Sequence, residues 1–129
     1  MTKIDILKKY WIIMEQRDIS VKQEMYDFFH ANAKIYLHDT NELLTREELI
    51  DYNFEFDQEW YVAIDRIDEL VNGQFVTITF HRSKNWIRFI TSFFTFTHDK
   101  ISELHEYYAQ CDEIPQWRTD LTDNEKIKS

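Results

Sequence analysis

The amino-acid sequence predicts an α+β domain in which two N-terminal helices precede a curved, mostly antiparallel sheet. Three observations carry this expectation. Apolar residues recur at helical spacing as far as Phe29, the period changes to two from Ala33, and from Trp60 to Ala109 four runs rich in Val, Ile, Thr and aromatic residues are separated by turn signals.

Composition agrees with one folded unit. At 129 residues the chain has the commonest domain size, and a chain of that length buries roughly two thirds of its unfolded surface. Its residues are 43% hydrophobic and 16% aromatic, more than a disordered chain carries, and the 30% that are charged furnish a solvated exterior. A formal charge of -9 and a pI near 4.9 set up a field that repels phosphate backbones and anionic membrane surfaces, which argues against nucleic acid or a membrane as partner. The single cysteine, Cys111, cannot form an internal disulfide, and the histidines have no Cys pairs near them, so neither a metal site nor a cofactor is expected. Met1 to Asp5 lack the apolar core of a signal peptide, and runs such as Tyr10 to Met14 are too short to span a bilayer, so a cytoplasmic location is expected.

Leu7, Tyr10, Trp11 and Met14 lie on one helical face, with Thr2 and Asp5 placed as the N-terminal cap pair. Ser20 and Gln23 read as a second capping box, followed by Val21, Met25, Phe28 and Phe29 at i, i+4, i+7 and i+8. From Ala33, Ile35 and Leu37 alternate with Lys34, Tyr36 and His38 as a first strand, which Asp39-Thr40-Asn41 breaks. Thr45 and Glu48 then cap a short third helix through Leu49, Ile50 and Phe54. Strands are expected over Trp60 to Val71, Phe75 to Arg82, Trp86 to Thr97 and Ile101 to Ala109. Asn72-Gly73, with the only glycine, predicts a two-residue hairpin turn with positive φ at both centres. Three hairpins make a four-stranded meander, to which the first strand adds at one edge or through a crossing connection. Pro115 is expected to end the regular part. One domain is expected over residues 1–118, and residues 119–129 read as a charged, frayed tail.

This order of elements, closed by Ile101-Ser102-Glu103-Leu104-His105-Glu106-Tyr107-Tyr108 and Pro115-Gln116-Trp117-Arg118, resembles the SnoaL-like branch of the nuclear transport factor 2-like superfamily, from about Leu7 to Arg118. The resemblance rests on Asp39-Thr40-Asn41-Glu42 after the first strand, Asn53 at the end of the short helix, Trp60 opening the next strand, and the Ser92-Phe93-Phe94-Thr95-Phe96 segment. It implies a cone-shaped fold, helices packed on the concave face of the sheet, that hosts isomerases, cyclases, dehydratases, hydrolases and non-catalytic binding or transport proteins. Fold alone does not choose among them.

The ketosteroid isomerases look like distant relatives. By that resemblance Tyr10 falls at their oxyanion-binding tyrosine, Ser92 at their late aspartic acid and Leu37 at their proton-moving carboxylate. Leucine accepts no proton, so steroid isomerisation in its known form is not expected. Next to Leu37, alternation turns His38 to the opposite face and Asp39 begins a turn. His81, facing the pocket, would serve as base with Glu106 or Asp65 orienting it, whereas His105 lies among Glu103 and Tyr107 on the outer face. The candidate catalytic residues are therefore His81, Ser92 and Tyr10.

Candidate ligand-binding residues are Glu42, Asn53, Trp60, Trp11 and Phe94. Glu42 either enters the pocket mouth or serves the third helix as a cap or as partner of Arg46. Asn53 either binds a ligand carbonyl or terminates its helix. The aromatic side chains, Trp86 and Phe96 among them, suit a flat apolar ligand as well as a packed core. Phe93, Ile87, Phe89 and Tyr107 or Tyr108 would leave the convex face apolar, which predicts a homodimer through the sheet. Three functions remain open on the sequence: binding of a small apolar or cyclic molecule between helices and concave sheet, an isomerase, cyclase or dehydratase with a non-standard acid-base set, and a protein-interaction module.

Overall fold

The computed structural model describes residues 1–122. Helix α1 (Lys3–Gln16) starts as the sequence predicts: Thr2 Oγ1 accepts the Asp5 N–H at 3.1 Å, and the Asp5 carboxylate accepts the Thr2 N–H at 3.2 Å. It buries Leu7, Tyr10, Trp11 and Met14 together with Ile6 and Ile13. It stops at Arg17, whose backbone turns left-handed at φ 50°.

The second helix is shorter than predicted, and its capping box does not form. Asp18 accepts both the Ser20 N–H at 3.0 Å and the Ser20 hydroxyl at 2.8 Å, opening a 3-10 turn (Ile19–Val21) from which α2 (Lys22–Asp27) continues without a side-chain cap. A carboxylate is a stronger acceptor than a hydroxyl. Phe28 caps α2, and Phe29 already opens strand β1 (Phe29–Leu37), four residues before the predicted start. The Ile101 N–H donates to the Phe28 carbonyl at 2.8 Å, and Phe29 is fully buried opposite Ile101. Sheet pairing thus claims Phe29, whose spacing also fits a helix.

After the left-handed Asn41 (φ 58°), a three-residue strand unannounced by the sequence, β2 (Glu42–Leu44), pairs back on β1. Helix α3 (Arg46–Glu55) carries the predicted box, with Thr45 Oγ1 accepting from the Glu48 N–H at 3.1 Å and Glu48 accepting from the Thr45 N–H at 3.0 Å. Strands β3 (Trp60–Glu69), β4 (Phe75–Ser83), β5 (Ile87–Thr97) and β6 (Lys100–Gln110) form the meander. The six-stranded sheet has the order β2-β1-β6-β5-β4-β3, with β1 and β6 parallel and the other neighbours antiparallel. The first strand therefore joins by the crossing connection, and the edge beyond it belongs to β2.

The turn at Asn72-Gly73 has three residues, not two. The Gly73 N–H donates to the Leu70 carbonyl at 2.9 Å, the Leu70 N–H to the Gln74 carbonyl at 2.7 Å, and only Gly73 has positive φ, at 86°. Asn72 Oδ1 instead accepts the Gln74 N–H at 3.0 Å, which lets Asn72 keep an ordinary backbone. Pro115 begins a last helical turn, α4 (Gln116–Thr119), rather than ending regular structure, because proline fits the start of a helix as readily as the residue after one. Of the predicted tail, residues 123–129 lie outside the described residues.

The register stacks the concave face in rows. At the closed end Phe75, Phe94, Leu104 and Ile35 face one another across four strands, and Tyr10, Phe29 and Leu7 complete a fully dehydrated core. The next row is Thr77, Ser92, Glu106 and Leu37. Then come Thr79, Ile90 and Tyr108, then His81 beside Arg88, and at the open rim Trp60 beside Ser83. Polarity rises toward the open end.

Candidate functional site

The middle row holds buried polar groups that hydrophobic packing alone would not select. Glu106 on β6 is nearly inaccessible, yet its carboxylate meets only neutral donors: the Ser92 hydroxyl at 3.0 Å and the Tyr108 hydroxyl at 3.4 Å. Burial outweighs these bonds and raises its pKa to about 7, so the side chain is part acid and part carboxylate near neutrality. Tyr10 on α1 is fully buried and its hydroxyl finds no partner among the described residues. Desolvation first and the charge of Glu106 second hold that phenol well above its ordinary value.

His81 lies buried on the concave side of β4, and both ring nitrogens are engaged. The Trp60 indole N–H donates to Nδ1 at 2.8 Å, which leaves Nε2 as the N–H that reaches Thr79 Oγ1 at 2.7 Å. Burial, with the charge of Arg88 adding to it, lowers the His81 pKa to about 3. A neutral imidazole locked at both ends is a post in the wall; it has no free lone pair for a substrate proton.

Above this row the sheet opens. A cleft of about 420 Å³ lies between α3, the loop after it and the sheet, lined by Phe56, Trp60 and Trp86 on its sides, Ile90 and Arg88 beneath, and Tyr52, Asn53 and Tyr108 across. A second, of about 690 Å³, shares Tyr52, Glu55, Arg88 and Tyr108 with it and continues past Glu42, Thr40 and Asp39 toward β2. Arg17 holds the loop that forms one side, donating to the Phe56 carbonyl at 2.7 Å and the Gln58 carbonyl at 3.0 Å, with its guanidinium over the rings of Phe56 and Trp60.

The predicted site residues divide between these two levels. Trp60, Asn53 and Glu42 line the clefts. Glu42 neither caps α3 nor pairs with Arg46: Thr45 and Glu48 do the capping, and Arg46 bonds Glu47. Asn53 donates to the Leu49 carbonyl at 2.8 Å, a helix-internal bond that fixes the amide. Tyr10, Ser92, His81, Trp11 and Phe94 line neither cleft. Phe94 packs edge-on against Tyr10 in the closed core, and the Trp11 indole N–H donates to Thr77 Oγ1 at 3.2 Å. Arg88 lines both clefts and Glu106 neither, and the sequence reading puts neither of them among its candidate site residues. Strand parity contains the signal: Arg88 shares its parity with Ile90, Ser92 and Phe94, and Glu106 alternates with the outward His105 and Tyr107.

The convex face carries Tyr36, His105, His38 and Tyr107 as a ladder of stacked rings, with His38 Nε2 and His105 Nδ1 2.8 Å apart and His105 bonded to Glu103. Phe93, Phe89 and Ile87 extend the apolar area on that face, and of the two adjacent tyrosines Tyr107 points outward while Tyr108 points into the cone. Among the described residues no group of three or more His, Cys, Asp or Glu is placed to hold a metal, and no helix is long and apolar enough to cross a membrane.

No protein-family model matches the chain, and no curated protein matches its sequence. Solved structures do match its fold. A candidate ketosteroid isomerase from Kribbella flavida is 16% identical with a TM-score of 0.79, over 98% of this chain and 91% of that one. A nuclear transport factor 2-like protein of unknown function from Burkholderia xenovorans is 16% identical with a TM-score of 0.77, over 96% and 95%. A candidate SnoaL-like polyketide cyclase from Jannaschia is 10% identical with a TM-score of 0.68, over 82% and 84%. The cone-shaped, nuclear transport factor 2-like fold is thus the fold of this chain.

Proposed function

We propose that the protein binds a small apolar or cyclic organic molecule in the open end of the cone, between α3 and the concave sheet. The observation that carries this reading is the cleft itself: three aromatic walls, an aliphatic floor and a few convergent polar groups, which is the usual chemistry of a small-molecule site. The shared fold of isomerases and cyclases agrees with it. Nile red, a flat neutral fluorophore, tests it. Saturable fluorescence that is lost in Trp86→Ala is expected; no saturable binding to the native protein overturns the proposal.

A second reading, acid-base catalysis, is favoured by Glu106 alone. With a pKa near 7 and Tyr108 between it and the cleft, it is the group able to exchange a proton at neutral pH, and it takes precedence there over His81, Ser92 and Tyr10. A carbon-13 NMR titration of the Glu106 carboxyl decides whether this reading survives, because a midpoint near 4.5 removes its basis.

For the assembly, we propose a homodimer through the convex sheet, where among the described residues no helix covers Phe89, Phe93, Ile87 and Tyr107 and a two-fold pairing would bury all of them. Sedimentation at micromolar concentration should give twice the mass of 15.9 kDa; a monomer refutes the pairing.

A further inference from the structure

Arg88 is the one cation lining the aromatic cleft, and its guanidinium has neither a hydrogen bond nor an ion pair among the described residues. Its Nε is buried without a partner. The Trp86 ring lies 4.2 Å from the guanidinium carbon and the Tyr108 ring 5.3 Å away. Ring stacking satisfies the faces of a guanidinium, whereas its five N–H donors lie in the plane and call for oxygen acceptors. A desolvated donor left unmatched is costly in a native protein, and a ligand that supplies the acceptor recovers that cost.

We propose that the ligand of this cleft is an aromatic or cyclic carboxylate, its ring held among Phe56, Trp60 and Trp86 and its carboxylate on Arg88. The proposal rests on the small-molecule reading above and adds the ligand's charge. A carboxylate offers two parallel acceptors to a planar donor pair, a match that a ketone or amide oxygen does not provide. The neighbouring His81 stays uncharged and both its nitrogens are taken, so it does not compete as an anion site. The acids of the cleft, Glu55 and Asp57, are exposed on α3 and its following loop, where water screens them, while Arg88 sits deeper on β5.

The test compares 2-naphthoate with its neutral counterpart 2-naphthamide by calorimetry on the native protein. Naphthoate is expected to bind the native protein at least about tenfold more tightly than naphthamide, that preference to vanish in Arg88→Met, and Arg88→Lys to keep only part of it. Equal affinity of the two probes for the native protein overturns the carboxylate assignment and leaves the small-molecule reading standing. Binding of neither, together with a negative Nile red result, removes both. The comparison on native protein needs no variant, so a destabilised Arg88→Met does not blunt it.

Discussion

The closed and open ends of the cone are built by the same strands on the same pleat, yet one is dry and the other holds a cleft. At the closed end α1 and the start of β1 press Leu7, Tyr10 and Phe29 against Phe75, Phe94 and Leu104, and rings meet edge to face at 5.7 to 5.9 Å. At the open end the rings of Phe56 and Trp60 meet the Arg17 guanidinium where α1 ends, and Trp60, Trp86, Phe56 and Arg88 line a void. Aromatic content therefore does not by itself signal a core or a pocket. What separates them is whether a second layer arrives to fill the space.

Removing a ring from each end should break the symmetry most plainly. Phe94→Ala should cost about 3 to 5 kcal/mol in urea unfolding, because it empties a fully buried site, whereas Trp86→Ala should cost about 1 kcal/mol or less. Equal losses would mean that the open end is as tightly packed as the closed one.

The boundary between the two ends is sharpened by Glu106→Gln. Glu106 has its folded pKa raised to about 7 from 4.5, so the stability it contributes as a neutral acid is complete below about pH 4.5 and is lost as pH rises through 7. Glutamine does not titrate. The variant should therefore gain on the native protein by on the order of 2 to 3 kcal/mol between about pH 4 and about pH 8. His81 titrates in the opposite sense but is present in both proteins and cancels in the difference. A constant difference across that range would place Glu106 in water.

Trp60→Phe keeps a ring at the rim but strips the N–H from His81 Nδ1, and leaving that nitrogen unmatched should cost about 1 to 2 kcal/mol, read from the denaturant midpoint. A loss of similar size to that of Trp86→Ala is expected for Thr45→Ala, which removes the α3 cap for about 1 kcal/mol. Since α3 is one wall of the cleft, Nile red affinity should fall with it, while an unchanged affinity would show that the wall is held by its buried Leu49, Ile50 and Asn53 instead.

Much of this architecture is legible in the sequence, and for local reasons. The caps at Thr2 and Thr45, the outward His38, and the alternation that puts Ser92 and Phe94 on one face each follow from a few adjacent residues and the period of one element. Where two local signals compete, tertiary pairing decides. Phe29 satisfies helical spacing but is taken by β1, and the Asn72-Gly73 turn gains a residue because Asn72 finds a side-chain bond to Gln74. Site residues are legible only in part. Trp60, Asn53 and Glu42 lie at the clefts, whereas Arg88 and Glu106 carry the polarity of surface residues and only strand parity hints that they point inward.

By itself, then, the sequence determined most of the elements and their faces, since caps, periods and turn residues act within a few positions of one another, while the cone entered as what the family resemblance implies. The tertiary structure alone decided that Glu106 sits dehydrated between Ser92 and Tyr108, that His81 is bonded at both nitrogens, and that Arg88 stacks on Trp86 over an open cleft. Those properties depend on register between strands far apart in the chain and on where the helical layer stops, and desolvation, which sets the chemistry of buried charges, exists only once those distant surfaces have met.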